Sequence, residues 1–199
     1  SAGNIGNTPD YVTNQSDAPI SNVDAITCGN EFSMAIISGE VWSWGHNDYG
    51  QLGINSATNI IQYPQKVVSI NGSESLTNVT DIVAGQYHSV ALLSNGEVRT
   101  WGRNDYGQLG KNSDSIDSSN IPVEVISVSG TDNLTGVTGV SAGEGHVLAL
   151  TEDNTIISWG YNHFGQLGDG STTSKIRPVE ITSLTNMTQV SGGGSHSSA

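Results

Sequence analysis

The sequence predicts an all-β fold, and three observations carry that prediction. Tryptophan recurs at Trp44, Trp101 and Trp159, spaced 57 and 58 residues apart, and the residues around each copy match. A second block recurs at the same step, as "DAITCGNEFSMAI", "DIVAGQYHSVALL" and "GVSAGEGHVLALT". The turns "SGE", "SNGE" and "EDNT" separate the two blocks, and Ser-Gly or Asn-Gly between apolar runs is a strong hairpin signal. We therefore predict a β-propeller, or an arc of one, built of four-stranded antiparallel blades.

The second repeat shows the elements of one blade in order. It has a strand "HSVALL", a tight turn, a strand "EVRTWG", a glycine-rich loop "RNDYGQLGKNS", a strand near "IPVEVISV" and a short strand "GVTGVSAG" that leads into the next copy. Alternation along the second of these strands places Val98 and Arg99 on opposite faces. Trp101 ends that strand where neighbouring sheets would pack, so we expect the three repeated tryptophans to lie in equivalent, mostly buried positions.

The loop after each tryptophan explains why "NDYGQLG" is written twice and nearly a third time as "NHFGQLG". Its glycines must allow a sharp turn and are expected to adopt positive φ. We also predict a structural role for the repeated histidine, which hydrogen-bonds within its own blade. These repeat positions are Gly50, Gly53, Gly107, Gly110, Gly165 and Gly168, and His88, His146 and His196.

The internal alignment divides the single repeat domain, residues 1–199. Residues 1–23 form the second half of a blade, 24–80, 81–138 and 139–188 are repeats, and 189–199 start a further blade. Gly3 and Gly6 match Gly165 and Gly168. We expect a piece of a longer ring, two copies that complete one ring, or a closed four-bladed ring. Unpaired strand edges recruit other strands, so we expect self-association through the incomplete terminal blades, or pairing with another part of a longer protein.

Charge and composition exclude several classes of function. Six Lys and Arg against nineteen Asp and Glu give a formal net charge of -13, which disfavours nucleic acid and anionic membranes as partners. No apolar run approaches the roughly 20 residues that span a bilayer. Cys28 is the only cysteine, so there is no internal disulfide and no cysteine-based zinc site, and we expect it to be a small buried residue in the place of an alanine.

The blocks "VWSWGHNDYGQLG", "VRTWGRNDYGQLG" and "IISWGYNHFGQLG", with "AGxxHS" between them, resemble the repeats of the regulator of chromosome condensation family. The resemblance covers nearly the whole chain and implies blades of a seven-bladed propeller. It implies little about function, because the family includes a nucleotide-exchange factor for a nuclear GTPase, a plant ultraviolet-B photoreceptor, a secreted β-lactamase inhibitor and bacterial surface proteins.

The candidate binding residues are those that differ between repeats inside the "AGxxH" frame, because a fixed scaffold leaves its loop tips free to specify a partner. They are Asn30 and Glu31, Gln86 and Tyr87, Glu144 and Gly145, and Gly194 and Ser195. The resemblance implies that they share one face of the ring; the alternative is that they are merely solvated. A second loop set is a weaker candidate that packs beneath the ring: Tyr49, Arg103, Tyr106, Tyr161 and Phe164.

No pattern indicates catalysis, a cofactor or a metal ion. The histidines lack metal-ligand spacing, and the aspartate at Asp48 and Asp105 is replaced by His163 in the third repeat. We predict a non-catalytic binding or structural module for a protein or carbohydrate partner, extracellular or at the cell surface, with a cytoplasmic setting as the alternative. The alternative function is a regulatory exchange factor for a small GTPase, and an enzyme with an active site completed by other blades is the third possibility.

Overall fold

A computed structural model describes residues 12–111 and 115–199. It contains three consecutive four-stranded sheets, which confirms the predicted all-β propeller blades. Gly3 and Gly6 lie outside the described residues. The first blade has strands β1 Val23–Cys28, β2 Phe32–Ile37, β3 Glu40–His46 and β4 Ile60–Lys66; the second has β5 Val79–Ala84, β6 His88–Leu93, β7 Val98–Gly102 and β8 Ser119–Glu124; the third has β9 Val137–Ala142, β10 His146–Thr151, β11 Ile156–Gly160 and β12 Lys175–Glu180.

Each blade is an antiparallel meander in which strands pair in chain order. The first strands, β1, β5 and β9, contact one another and form the inner edge of the arc. Two short strands, β13 Ser191–Gly192 and β14 Ser197–Ser198, pack beside β9 and β10. The outer strands carry Pro64, Pro122 and Pro178, and proline at a sheet edge discourages pairing with another chain because it removes a donor.

The predicted hairpin turns join the second and third strands of each blade. In blade 1, Ser38 and Gly39 both have positive φ, 54° and 76°, and link the paired residues Ile37 and Glu40. This is the two-residue turn whose twist suits an antiparallel hairpin. Blades 2 and 3 use longer turns, in which Gly96 and Asn154 supply the positive φ.

The repeated heptapeptide folds on itself through its own polar side chains. In blade 1 the Asn47 side-chain oxygen accepts a hydrogen bond from the Leu52 amide at 3.0 Å, and the Gln51 side-chain oxygen accepts one from the Tyr49 amide at 2.9 Å. The Leu52 carbonyl accepts the Ser43 hydroxyl at 2.7 Å. Blades 2 and 3 repeat all three bonds. The six glycines of these loops have φ between 57° and 82°, as their sequence positions predict.

The same loop ties its blade to the next one. The Gln51 carbonyl in blade 1 accepts hydrogen bonds from the Trp101 indole and the Ser89 hydroxyl of blade 2, both at 2.8 Å. The Gln108 carbonyl likewise accepts the Trp159 indole of blade 3 at 2.9 Å. Buried apolar residues from consecutive blades share two of the core clusters, so the core lies between the sheets.

The three repeated tryptophans do not share one environment. Trp101 and Trp159 are fully buried beneath the loop of the preceding blade. Trp44 is only partly buried and lines an apolar hollow together with Val12 and Ile20, with no indole hydrogen bond to a preceding loop among the described residues. The expectation of equivalent environments is therefore wrong for Trp44.

Gly53 provides a direct test of how closely the blades pack. A Cβ atom at Gly53 would lie 2.7 Å from the Trp101 indole nitrogen, at a φ of 66°. We expect Gly53→Ala to destabilise the fold by about 3 kcal/mol, since it adds overpacking to backbone strain. Gly170→Ala is the matched control, because its φ is 77° but nothing lies within 4 Å of an added Cβ; it should cost about 1 kcal/mol. Urea unfolding measures both, and equal losses would show that the indole contact is unimportant.

Candidate functional site

The meander places two sets of loops at the same end of every blade, which we name the upper face. The inner loops join the first and second strands, and the outer loops follow the third strand. The two sets are linked by hydrogen bonds from the amides of His46, Arg103 and Tyr161 to the carbonyls of Glu31, Tyr87 and Gly145, at 2.8 to 2.9 Å. The outer loops therefore lie beside the inner loops, and the expectation that they pack beneath the ring is wrong.

The inner loops are joined from blade to blade by their backbones. The amide of Asn30 donates to the Gln86 carbonyl at 3.1 Å, Gln86 to Glu144 at 3.0 Å and Glu144 to Gly194 at 3.3 Å. These main-chain bonds join the blades whichever side chains the inner loops carry. The positions Asn30, Glu31, Glu144, Gly194 and Ser195 are exposed, Gln86 and Tyr87 are partly exposed, and Gly145 is buried.

Gly145 is buried because Tyr161 lies against it. An added Cβ at Gly145 would be 3.1 Å from the Tyr161 Cβ, so the glycine makes room for this tyrosine. The structure thus brings seven of the eight candidate positions to the surface of one face. The eighth position, Gly145, lies beneath that face and leaves space for Tyr161.

A tyrosine–arginine cluster crosses the upper face and consists of Tyr49, Tyr87, Arg103, Tyr106 and Tyr161. The rings of Tyr49 and Tyr87 are 5.2 Å apart, and those of Tyr106 and Tyr161 are 4.6 Å apart. The Arg103 guanidinium lies between the pairs, 5.3 to 5.8 Å from the centroids of Tyr49, Tyr87 and Tyr106. These are cation–π distances, so one cation connects residues of blades 1 and 2.

Arg103 is fixed in this position by Asp105. Its Nη2 lies 2.7 Å from the Asp105 carboxylate, and its Nε donates to the same oxygen at 2.8 Å. Burial disfavours the charge, but the hydrogen bond and the ion pair with Asp105 outweigh it and raise the pKa of Arg103. The cluster therefore presents a permanent, oriented cation, with the Tyr87 hydroxyl held at its inner end by a 3.0 Å hydrogen bond from the Asn30 amide group.

Residues 1–199 match the family model described as an RCC1-like domain. The chain belongs to this family. The ultraviolet-B receptor UVR8 of Arabidopsis thaliana is 31% identical over 176 residues, which are 86% of this chain and 38% of that protein. The human E3 ubiquitin-protein ligase HERC2 is 36% identical over 161 residues, which are 80% of this chain and 3% of that protein. The chain therefore spans less than half the length of these relatives.

Solved structures share the fold of this RCC1-like domain. Human WBSCR16 superposes with a TM-score of 0.74 at 23% identity, over 88% of this chain and 44% of that one. Prp20p of Saccharomyces cerevisiae superposes with a TM-score of 0.71 at 22% identity, over 87% of this chain and 42% of that one. At these identities the likeness shows the propeller architecture alone.

The repeated histidines of this RCC1-like domain do not hydrogen-bond within their own blades. His146 Nε2 lies 2.9 Å from the hydroxyl of Ser197 in β14, whereas neither nitrogen of the buried His88 has a partner among the described residues. His196 is exposed. The prediction of a bond within the blade is therefore wrong. Burial, together with the charge of the neighbouring histidine, lowers the pKa of His88 to about 3 and that of His146 to about 4.

The ring of each histidine packs on the glycine of its own "AGxxH" block. An added Cβ at Gly85 would lie 2.0 Å from His88 Cε1, and one at Gly29 would lie equally close to the ring of Phe32. Phenylalanine and histidine thus occupy one slot, and the flat ring is their shared feature. These glycines were not predicted as structural positions, although they recur in the sequence at Gly29, Gly85, Gly143 and Gly193. The buried asparagines of the "WGxN" segment, Asn47, Asn104 and Asn162, were not predicted either.

No metal site or membrane span is found in the part of the chain that the structure describes. Residues 12–111 and 115–199 contain no group of three or more His, Cys, Asp or Glu side chains placed to hold a metal ion. No helix long and apolar enough to cross a membrane occurs among them. Cys28 is exposed at the end of β1, so the expectation of a buried cysteine is wrong.

Proposed function

We propose that this RCC1-like domain is a non-catalytic module that binds a protein partner through its upper face. The tyrosine–arginine cluster is the observation that carries the proposal. Tyrosine and arginine are the residue types that most often dominate the energy of protein interfaces. The side chains of the cluster are already held in place by Asp105, Asn30 and one another, so the binding of a partner would cost little side-chain entropy.

The geometry of the rings favours a protein over a carbohydrate. The Arg103 guanidinium lies over the rings of Tyr49, Tyr87 and Tyr106, so one face of each of these rings is occupied within the cluster. Stacking of a sugar requires an open ring face, whereas a protein contacts ring edges, hydroxyls and the Arg103 guanidinium together. A carbohydrate partner is the weaker form of the proposal.

Charge and setting complete the proposal. The formal net charge of -13 favours association with a partner of opposite charge, and it disfavours nucleic acid. We place the domain outside the cell or at its surface, on the basis of its single cysteine and its acidic, lysine-poor composition. An exchange factor for a small GTPase remains the alternative function, and none of the contacts described above favours it.

We expect the double substitution Arg103→Ala and Tyr106→Ala to weaken partner binding at least about 30-fold, because a single interface hot spot contributes about 2 kcal/mol. Asp132→Ala with Asp153→Ala is the matched control, since both residues are exposed and outside the upper face. Tagged wild-type and variant domains would capture partners from the source cells. Each protein that the double variant loses and the control retains would be purified, and its Kd measured by calorimetry.

Equal affinity of a captured partner for the wild type and the double variant would contradict the proposal. Binding to a glycan array that only the double variant loses would replace the protein with a carbohydrate. A captured GTPase whose nucleotide release is accelerated by the domain would establish the alternative function.

We also propose self-association through the side of blade 1 that carries β1, at an apolar hollow lined by Ile26 and Trp44. Ile26 is 77% exposed there, beside Trp44 and a hollow of about 900 Å³ with a mainly apolar lining. The corresponding sides of blades 2 and 3 are covered by the preceding blade. Exposed apolar surface of this kind is typical of association sites.

We expect sedimentation equilibrium to show an oligomer that Ile26→Glu dissociates, because a buried carboxylate without a partner is costly. Ile60→Glu is the control, since Ile60 is 65% exposed on the outer strand β4. A wild-type domain that stays monomeric at all concentrations would contradict the proposal.

A further inference from the structure

The junctions between consecutive blades differ at one buried pair of positions. The first residue of the pair is the His or Phe whose ring packs on the "AGxxH" glycine of its own blade. The second residue belongs to the next blade, where it directly follows the His at the same repeat position. The pairs are Phe32 with Ser89, His88 with Val147, and His146 with Ser197.

The pair His146 and Ser197 shows what a histidine requires in this slot. The Ser197 hydroxyl donates to the Gln166 carbonyl at 2.7 Å. Its proton is thereby used, so at 2.9 Å it accepts a hydrogen bond from His146 Nε2, which must carry the proton. A serine in the next blade thus provides a partner for Nε2 of the histidine and for the loop carbonyl, while His146 Nδ1 has no partner among the described residues.

The pair His88 and Val147 cannot form this relay. Valine has no hydroxyl, and both nitrogens of His88 are buried without a partner among the described residues. The Gln108 carbonyl at the same junction accepts one of these hydrogen bonds, from the Trp159 indole, whereas the Gln51 carbonyl accepts two, from an indole and from a hydroxyl. A buried polar group without a partner costs about 1–3 kcal/mol, so this junction is weaker than the junction between blades 1 and 2.

We infer that the junction between blades 2 and 3 is the joint at which the arc opens, and that a proton on His88 favours the open state. In the closed state the ring is confined between Gly85 and the following blade. The titratable group that acts on it is His146 of β10. The glycines packed nearby, Gly85 and Gly143, carry no charge, and Glu144 beside them is exposed.

The direction of the pH effect follows from burial. The pKa of His88 is about 3 in the closed state, against an ordinary value of 6.5 for an exposed ring. The open state therefore binds the proton more tightly, and opening becomes more favourable as the pH falls below about 6.5. Between pH 7.5 and pH 5 the opening equilibrium should rise about 30-fold, as linkage requires for one such group.

This joint lies beneath the proposed partner site. Tyr106 belongs to blade 2 and Tyr161 to blade 3, and their rings are in contact across the junction. Opening would separate them and lower the affinity for a partner. This consequence, unlike the joint itself, rests on the proposed function.

Backbone amides at the junctions supply separate probes of opening. The Gln86 amide donates across the junction of blades 2 and 3, and the Asn30 amide donates across the junction of blades 1 and 2. Hydrogen exchange measured by NMR and corrected for the intrinsic exchange rates gives an opening equilibrium constant for each amide. From pH 7.5 to pH 5 this constant should rise about 30-fold for the Gln86 amide and much less for the Asn30 amide.

Two variants decide the cause. His88→Phe, which copies Phe32, should abolish the pH dependence at the Gln86 amide. Val147→Thr keeps the volume of this fully buried valine and supplies the missing hydroxyl, so it should lower opening about fivefold at pH 7.5. An unchanged pH dependence in His88→Phe, or no added protection in Val147→Thr, would overturn the inference, and the second variant decides if the first does not fold.

A binding measurement separates the joint from the proposed function. If a partner is captured, its affinity for the wild type should fall between pH 7.5 and pH 5 more than its affinity for His88→Phe. The exchange data could agree with the expectation while the affinities show no such difference. That result would support opening at the junction of blades 2 and 3 but would contradict its effect on the upper face.

Discussion

The hydrogen bond from the Trp101 indole to the Gln51 carbonyl represents the constraint on which the arc depends. One blade is a thin sheet that cannot bury both of its faces, so its apolar residues are satisfied only by a neighbour. The loop Gly50–Gly53 leaves its own sheet and becomes part of the core of the next blade. Glycine at position 53 is required because the indole occupies the space of a side chain. The seven repeated residues therefore connect each blade to the next one.

This arrangement separates the role of the backbone from that of the side chains on the upper face. The inner loops are joined through main-chain groups, and the outer loops are joined to them in the same way. Neither set of bonds depends on which side chain the loop carries. Tyr87 and Arg103 can consequently differ from Glu31 and His46 in blade 1 without any change to the frame. The surface that we propose for partner binding is thus encoded in positions that the fold leaves free.

Local features of the fold were predictable from the sequence, and features set by neighbouring blades were predictable only in part. Strands, turns and the positive φ of the loop glycines depend on residues close in the chain, and the repeats display them three times. The shared face of the two loop sets follows from the antiparallel order of four strands, because the first and third connections must lie at one end. The environments of Trp44 and Cys28 could not be inferred from their repeat positions, because each depends on which atoms lie across an interface.

The histidine slot shows how repetition can mislead about chemistry. Histidine at three equivalent positions suggests a hydrogen-bonding role, yet Phe32 fills the same slot in blade 1 with the same contact to its glycine. The slot therefore selects a flat ring, and Nε2 of the histidine has a partner only where the next blade supplies a hydroxyl. Ser197 supplies one to His146, and Val147 supplies none to His88. Whether a repeated residue performs chemistry is consequently decided by its partner in the adjacent repeat, and a comparison of one repeat position alone does not contain that information.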